Sequence, residues 1–147
     1  MGERLVLAAH GVAPAVYRNA AARKLFTIDA TCPLVKKVHV EVRRFADAGY
    51  CVILIGHAGH EEVVGTAGEA PGVVMLVETL EQARTVAVPN PELVAYVTQT
   101  TLSIDETKDI VAALRARFLV SRARRDRHRA VRCAQRRRLV QAPSRVE

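Results

Sequence analysis

The residues of this chain with the most chemical capability fall in four short segments. Cys32 stands in Thr31-Cys32-Pro33, His10 in His10-Gly11, His57, His60, Glu61 and Glu62 in GHAGHEE, and Thr98, Gln99, Thr100, Thr101 and Ser103 in TQTTLS. Pro33 suits the first position of a helix, which needs no N–H. The free N–H groups and dipole of such a helix favour a thiolate at Cys32, the form of cysteine that binds iron or zinc. The bland alternative is a small buried residue. His10 and His60 adjoin glycines, where backbone approaches a ligand closely, and two imidazoles on one edge suit an anion or a metal. Glu62, near imidazoles and a thiolate, suits a proton donor. Otherwise Glu61 and Glu62 open a short helix and favour its positive end. The hydroxyls of Thr100, Thr101 and Ser103 fit a phosphate or substrate oxygen, or do no more than cap the last helix.

These segments are placed by the elements between them. Residues 4–9 and 26–31 read as strands, with a helix over 13–25 between them. From Pro33 a helix runs towards Gly49, with Leu34, Val38, Val42 and Phe45 at helical spacing and charged residues opposite. Residues 51–56, 73–77 and 93–98 are continuous apolar runs, the pattern of strands buried on both faces. A helix covers 80–86, and a last one opens on the capping box Ser103-x-x-Glu106, with Ile110, Val111, Leu114 and Phe118 on one side. Strands alternating with helices imply an α/β fold, a parallel sheet with helices on both faces. In such sheets ligands bind beyond the carboxyl ends of the strands. Four of the five predicted strand ends carry the residues named above.

Composition sets the outer bounds. With 147 residues, half of them apolar, one domain with a real core is expected. No run approaches the roughly 20 apolar residues of a membrane span, and the first residues do not read as a secretory signal. Three cysteines at unpatterned spacings argue against a disulfide framework, so a reducing, cytoplasmic location is expected. The net charge of +7 is uneven: residues 1–114 hold 10 basic and 13 acidic residues, and residues 115–147 hold 12 arginines and 2 acids. The chain therefore divides into an α/β unit, 1–118, and an Arg-rich tail, 119–147, expected to be irregular or disordered. Cys51 opens an apolar strand and reads as core. Cys133 lies among arginines, and His39 and His128 take no role.

As a set, AHGV (9–12), DATCPLVKKVH (29–39), ILIGHAGHEEVVGT (53–66) and VTQTTLS (97–103) closely resemble the 4-hydroxy-3-methylbut-2-enyl diphosphate reductases of the LytB/IspH family, in the family's order and spacing. The resemblance covers nearly all of residues 4–118. It implies a reductive removal of a hydroxyl that yields isopentenyl and dimethylallyl diphosphate in the non-mevalonate pathway. It also implies a [4Fe–4S] cluster on three cysteines and an external electron donor such as a ferredoxin or flavodoxin. Cys32 matches the family's middle cluster cysteine, and His10 and His60 match histidines that hold the diphosphate or line its pocket. Glu62 matches the proton-delivering acid, and Thr100 a threonine in its hydrogen-bond relay.

The family's pattern has three similar α/β units, each giving one cysteine, and this chain matches the middle one. The expectation is thus a fragment with one of three cluster ligands and negligible activity alone. A tail rich in Arg without Lys looks like a GC-rich gene read in a shifted frame. Two rivals stand beside this reading. A zinc hydrolase would use His60, Glu62 and Cys32, but the order of ligands is wrong and no C-x-x-C is present. A nucleic-acid-binding module would use the tail, but no aromatics interleave with its arginines for base stacking.

Overall fold

The computed structural model describes residues 3–118 and, as backbone, 120–122. In chain order the elements are β1 (Arg4–Leu7), α1 (Pro14–Ala22), β2 (Phe26–Asp29), α2 (Pro33–Asp47), β3 (Cys51–Ile55), α3 (Glu61–Ala67), β4 (Val74–Val77), α4 (Leu80–Thr85), β5 (Val94–Thr98), α5 (Ile104–Arg117) and β6 (Val120–Arg122). All strand pairs are parallel, so the α/β class holds.

The single expected sheet is in fact two. β1 and β2 pair only with each other, and the larger sheet has the order β4-β3-β5-β6. A crossover such as α2 fixes that the next strand runs parallel, but not which strand it lies beside. Burial separates the two sheets. Four of the five β3 residues are buried, whereas Val6, Phe26 and Ile28 of the small sheet are 62%, 63% and 45% exposed. The tail also begins differently from expectation. Its residues Val120–Arg122 extend the larger sheet beside β5, and the remaining tail residues, Cys133 and His128 included, lie outside the described residues.

Helices cover both faces of the larger sheet. Val52 and Leu54 of β3 pack with Val42 and Phe45 of α2 and Val63 of α3. The alternate residues Ile53 and Ile55 pack with Ala83 of α4 and Ile110 and Leu114 of α5. That alternation is the period-2 geometry of a strand expressed as two cores. The capping box at α5 is present in full: the Ser103 side chain accepts from the Glu106 N–H, and the Glu106 carboxylate accepts from the Ser103 N–H.

Strand order decides where the site lies. The chain steps from β3 to β4 on one side, then returns to place β5 on the other side of β3. The carboxyl ends of β3 and β5 therefore diverge at a topological switch point, the crevice where open α/β sheets bind ligands. The GHAGHEE and TQTTLS segments leave the sheet at that place.

Candidate functional site

Glu62 is at the centre of this edge. It lies in the first turn of α3 and is 1% exposed. The Thr100 N–H donates to its Oε1 at 2.6 Å, and the Thr100 hydroxyl donates to its Oε2 at 2.9 Å. A buried carboxylate thus spans the crevice from the end of β3 to the end of β5, with both oxygens engaged.

His60 is the N-cap of α3. Its Nδ1 accepts the Glu62 N–H at 3.2 Å. An accepting Nδ1 leaves the ring proton on Nε2, so a neutral His60 keeps an N–H donor there. His10 lies edge-on to it, with ring centroids 5.2 Å apart at 78°. The His10 Nδ1 also lies 3.3 Å from Oε2 of the exposed Glu61. The helical reading of Glu61 and Glu62 is therefore correct, and it coexists with the site: the turn that caps α3 also buries its acid.

The loop between β3 and α3 is braced from two sides. Gln99, 3% exposed, accepts the His57 N–H on Oε1 at 3.0 Å and donates from Nε2 to the Thr101 hydroxyl at 2.7 Å. Glu78, at the end of β4, accepts the Ala58 N–H at 2.5 Å. Gly56 allows this closeness, since a Cβ there would lie 2.7 Å from Val63 Cγ2 and 3.0 Å from Gln99 Oε1. Gln99 was visible in the sequence as a strand-end residue, but nothing in its spacing announced that it holds a loop.

Cys32 is the N-cap of α2, with Pro33 in the first turn as expected. Its N–H donates to the Ala9 carbonyl at 2.9 Å, which ties the thiol-bearing turn to the segment carrying His10. The strand before it stops at Asp29, short of residue 31, because the Asp29 carboxylate accepts the Thr31 N–H at 3.0 Å and turns the chain. Lys36 of α2 closes on the other Asp29 oxygen at 2.8 Å. Hydrogen bonds from Lys36 first, and from Thr31, hold the Asp29 carboxyl well below the usual carboxylate range. A depressed carboxylate stabilises the fold above its unfolded value near 3.8, and that stabilisation is lost as pH falls towards the folded value. The pair is partly exposed, so solvent screens much of it. Asp29→Asn should therefore lower the urea midpoint slightly at pH 7. The difference from the parent should shrink steadily below about pH 4; a constant difference down to pH 2 would contradict the clamp.

The sequence-predicted residues divide into two sets. Glu62 and Thr100 are bonded directly, and His60 and His10 stand beside them, while Cys32 is linked through backbone only. Cys51 behaves as core: its Sγ lies 3.5 Å from Met75 Sδ, and burial pushes its thiol up. Among the described residues, no group of three or more His, Cys, Asp or Glu is placed to hold a metal ion. A zinc site needs such a group, and the zinc hydrolase reading finds no ligand set among the described residues. Of the two thiols among the described residues, Cys32 stands at the N-cap of a helix beside the His10 segment and Cys51 lies in the core.

Comparison with known proteins decides the family. The family model described as LytB protein matches residues 2–141. The chain belongs to the LytB family. That match continues past Phe118 into the Arg-rich stretch, beyond the point where the quoted motifs end. The chain is 60% identical over 117 residues to the 4-hydroxy-3-methylbut-2-enyl diphosphate reductase of Acidothermus cellulolyticus, covering 80% of this chain and 34% of the relative. The reductase of the same name from Mycobacterium ulcerans is also 60% identical over 117 residues, with 35% of it covered. Among solved structures, the E-1-hydroxy-2-methyl-but-2-enyl-4-diphosphate reductase of Plasmodium falciparum superposes with a TM-score of 0.75 at 42% identity, covering 82% of this chain and 39% of that one. The chain thus spans about a third of the length of the curated LytB relatives it matches.

Proposed function

We propose that this chain supplies the middle unit of a cytoplasmic LytB-type reductase, which removes the hydroxyl of 4-hydroxy-3-methylbut-2-enyl diphosphate to give isopentenyl and dimethylallyl diphosphate. The observation that carries this reading is the buried Glu62 carboxylate bonded twice to Thr100 at the switch point of the sheet, with His60 and His10 beside it. An expelled hydroxyl needs an acid, and Glu62 in its protonated form, with the Thr100 hydroxyl then turned to accept from it, would be the group that delivers the proton. A diphosphate needs cationic or N–H donors, and His10 and His60 supply them at the exposed rim. The [4Fe–4S] cluster would relay two electrons singly from a ferredoxin or flavodoxin and supply Lewis acidity at an open iron. Cys32 would hold one corner of it. One thiolate does not hold a four-iron cluster, so the 147-residue chain alone is expected to show neither stable cluster nor turnover. Among the described residues no helix is long and apolar enough to cross a membrane. The rival nucleic-acid reading falls on tail residues outside the described ones.

Calorimetric titration of the chain with 4-hydroxy-3-methylbut-2-enyl diphosphate tests the pocket. His10→Asn and His60→Asn should each weaken binding by about tenfold, the worth of one hydrogen bond to a charged group. Two variants that bind as the parent does would overturn the assignment.

A further inference from the structure

His39 closes the DATCPLVKKVH segment with no role assigned to it there, and looks, by position, like one residue of the amphipathic helix α2. It is nevertheless only 7% exposed. Its Nδ1 lies 2.7 Å from Oε1 of Glu69, whose side chain is 4% exposed, and the other Glu69 oxygen pairs with the half-exposed Arg43. An ionised Glu69 only accepts, so the His39 proton sits on Nδ1 and Nε2 keeps a lone pair. Burial first, and Arg43 in the same sense, hold the imidazole below its usual range against the pull of Glu69, which keeps the ring neutral. Nε2 is buried and has no hydrogen-bond partner among the described residues.

Gly11 shows which way that unpaired edge faces. A Cβ on Gly11 would lie 3.0 Å from His39 Cε1, 3.3 Å from His39 Nε2 and 2.9 Å from Val35 Cγ1. Gly11 also has φ +77°, a conformation that favours glycine for a second, independent reason. On its far side the Gly11 carbonyl oxygen lies 3.2 Å from where a Gly65 Cβ would stand, and Gly65 lies in α3 three residues beyond Glu62. The imidazole edge, together with Val35 Cγ1, therefore backs Gly11, and the Gly11 carbonyl in turn meets α3 at Gly65. His10, the residue before Gly11, is carried by the same turn.

We infer that His39 is a positioning residue for the anion-binding rim: its Cε1–Nε2 edge, oriented by Glu69 and Arg43, backs the His10–Gly11 turn against α3 and so fixes where His10 stands relative to His60 and Glu62. The inference rests on reading that rim as the diphosphate pocket, but His39 itself touches no ligand. An apolar side chain would fill the same volume without leaving a buried ring nitrogen unpaired. What it lacks is a fixed ring orientation, which the Nδ1–H bond to Glu69 supplies, as orienting partners do for other functional imidazoles.

The test uses the 147-residue chain and separates orientation from bulk. Long-range proton–nitrogen NMR of the imidazoles should show His39 neutral at pH 7 with its proton on Nδ1; a proton on Nε2 would overturn the inference. Glu69→Ala frees the ring and should displace the His10 and His60 ring signals. Glu69→Gln, whose amide oxygen still accepts from Nδ1–H, should restore them. Titration with inorganic diphosphate should follow the same order, about tenfold weaker in the Ala variant and near the parent in the Gln variant. If Glu69→Ala does not fold, His39→Leu serves in its place with the same expected displacement. Unmoved His10 and His60 signals, or equal losses in the Ala and Gln variants, would reduce His39 to packing. A parent chain that binds no diphosphate would sink the pocket reading, while the tautomer and the ring signals would still decide the role of His39.

Discussion

Glu62→Gln should slow reductase turnover by about 10²- to 10⁴-fold, the usual worth of a positioned proton donor, with substrate KM changed by no more than about threefold. The suitable background is a full-length LytB reductase whose matched segment is replaced by that of this chain. The site explains why the effect should fall on kcat. Thr100 presents one N–H and one hydroxyl to the carboxylate. The Gln amide can keep its oxygen on the N–H and turn its NH₂ to the hydroxyl, which reverses its role and accepts. Geometry and burial are thus retained while the transferable proton is lost. Single-turnover measurement under anaerobic conditions would check this, and turnover within a factor of about three of the parent would remove Glu62 from the proton path.

Phe45→Ala should cost about 3–5 kcal/mol of stability, the range for a large aromatic side chain deleted from a packed core. Phe45 is 1% exposed, packs in the core that joins α2 to β3 and β5, and its ring stands 5.3 Å from that of Tyr50. Against a total of about 5–15 kcal/mol for a domain, such a loss leaves little margin. It also bears on the site, because α2 carries both Cys32 at its first turn and His39 on its buried face. Urea unfolding at pH 7 measures it: the midpoint should fall sharply with an unchanged slope, whereas a loss below about 1 kcal/mol would mean that this core relaxes around the hole.

Much of this architecture was legible because it is written in local chemistry. Pro33 after Cys32, the Ser103/Glu106 box and the apolar run of β3 each name an element by a short-range rule, and the strand-end argument picked out His10, His60, Glu62 and Thr100, although His10 follows a strand of the other sheet. What was not legible depends on pairings across the chain. The crossover through α2 does not reveal that β3 begins a new sheet. β2 stops at Asp29 because a side chain turns back on the backbone, a competition that hydrophobic pattern does not register. His39 and Glu69 lie 30 residues apart, and only the packing of α2 beside α3 makes them a pair. The same holds for Gln99, which sits inside a recognisable motif yet works by holding the His57 backbone.

The central claim is that this segment is a working part of a LytB reductase, with Glu62, Thr100, His10, His60 and Cys32 in their assigned places. The most direct measurement is made on the chimera itself. The 117 residues of the Acidothermus cellulolyticus reductase matched by this chain are exchanged for those of this chain. The purified protein is reconstituted anaerobically, and iron, acid-labile sulfide and turnover of 4-hydroxy-3-methylbut-2-enyl diphosphate are quantified together. The predicted result is the iron and sulfide content of one four-iron cluster with turnover near that of the unexchanged enzyme. A chimera that folds and fills its cluster yet converts no substrate would contradict the account.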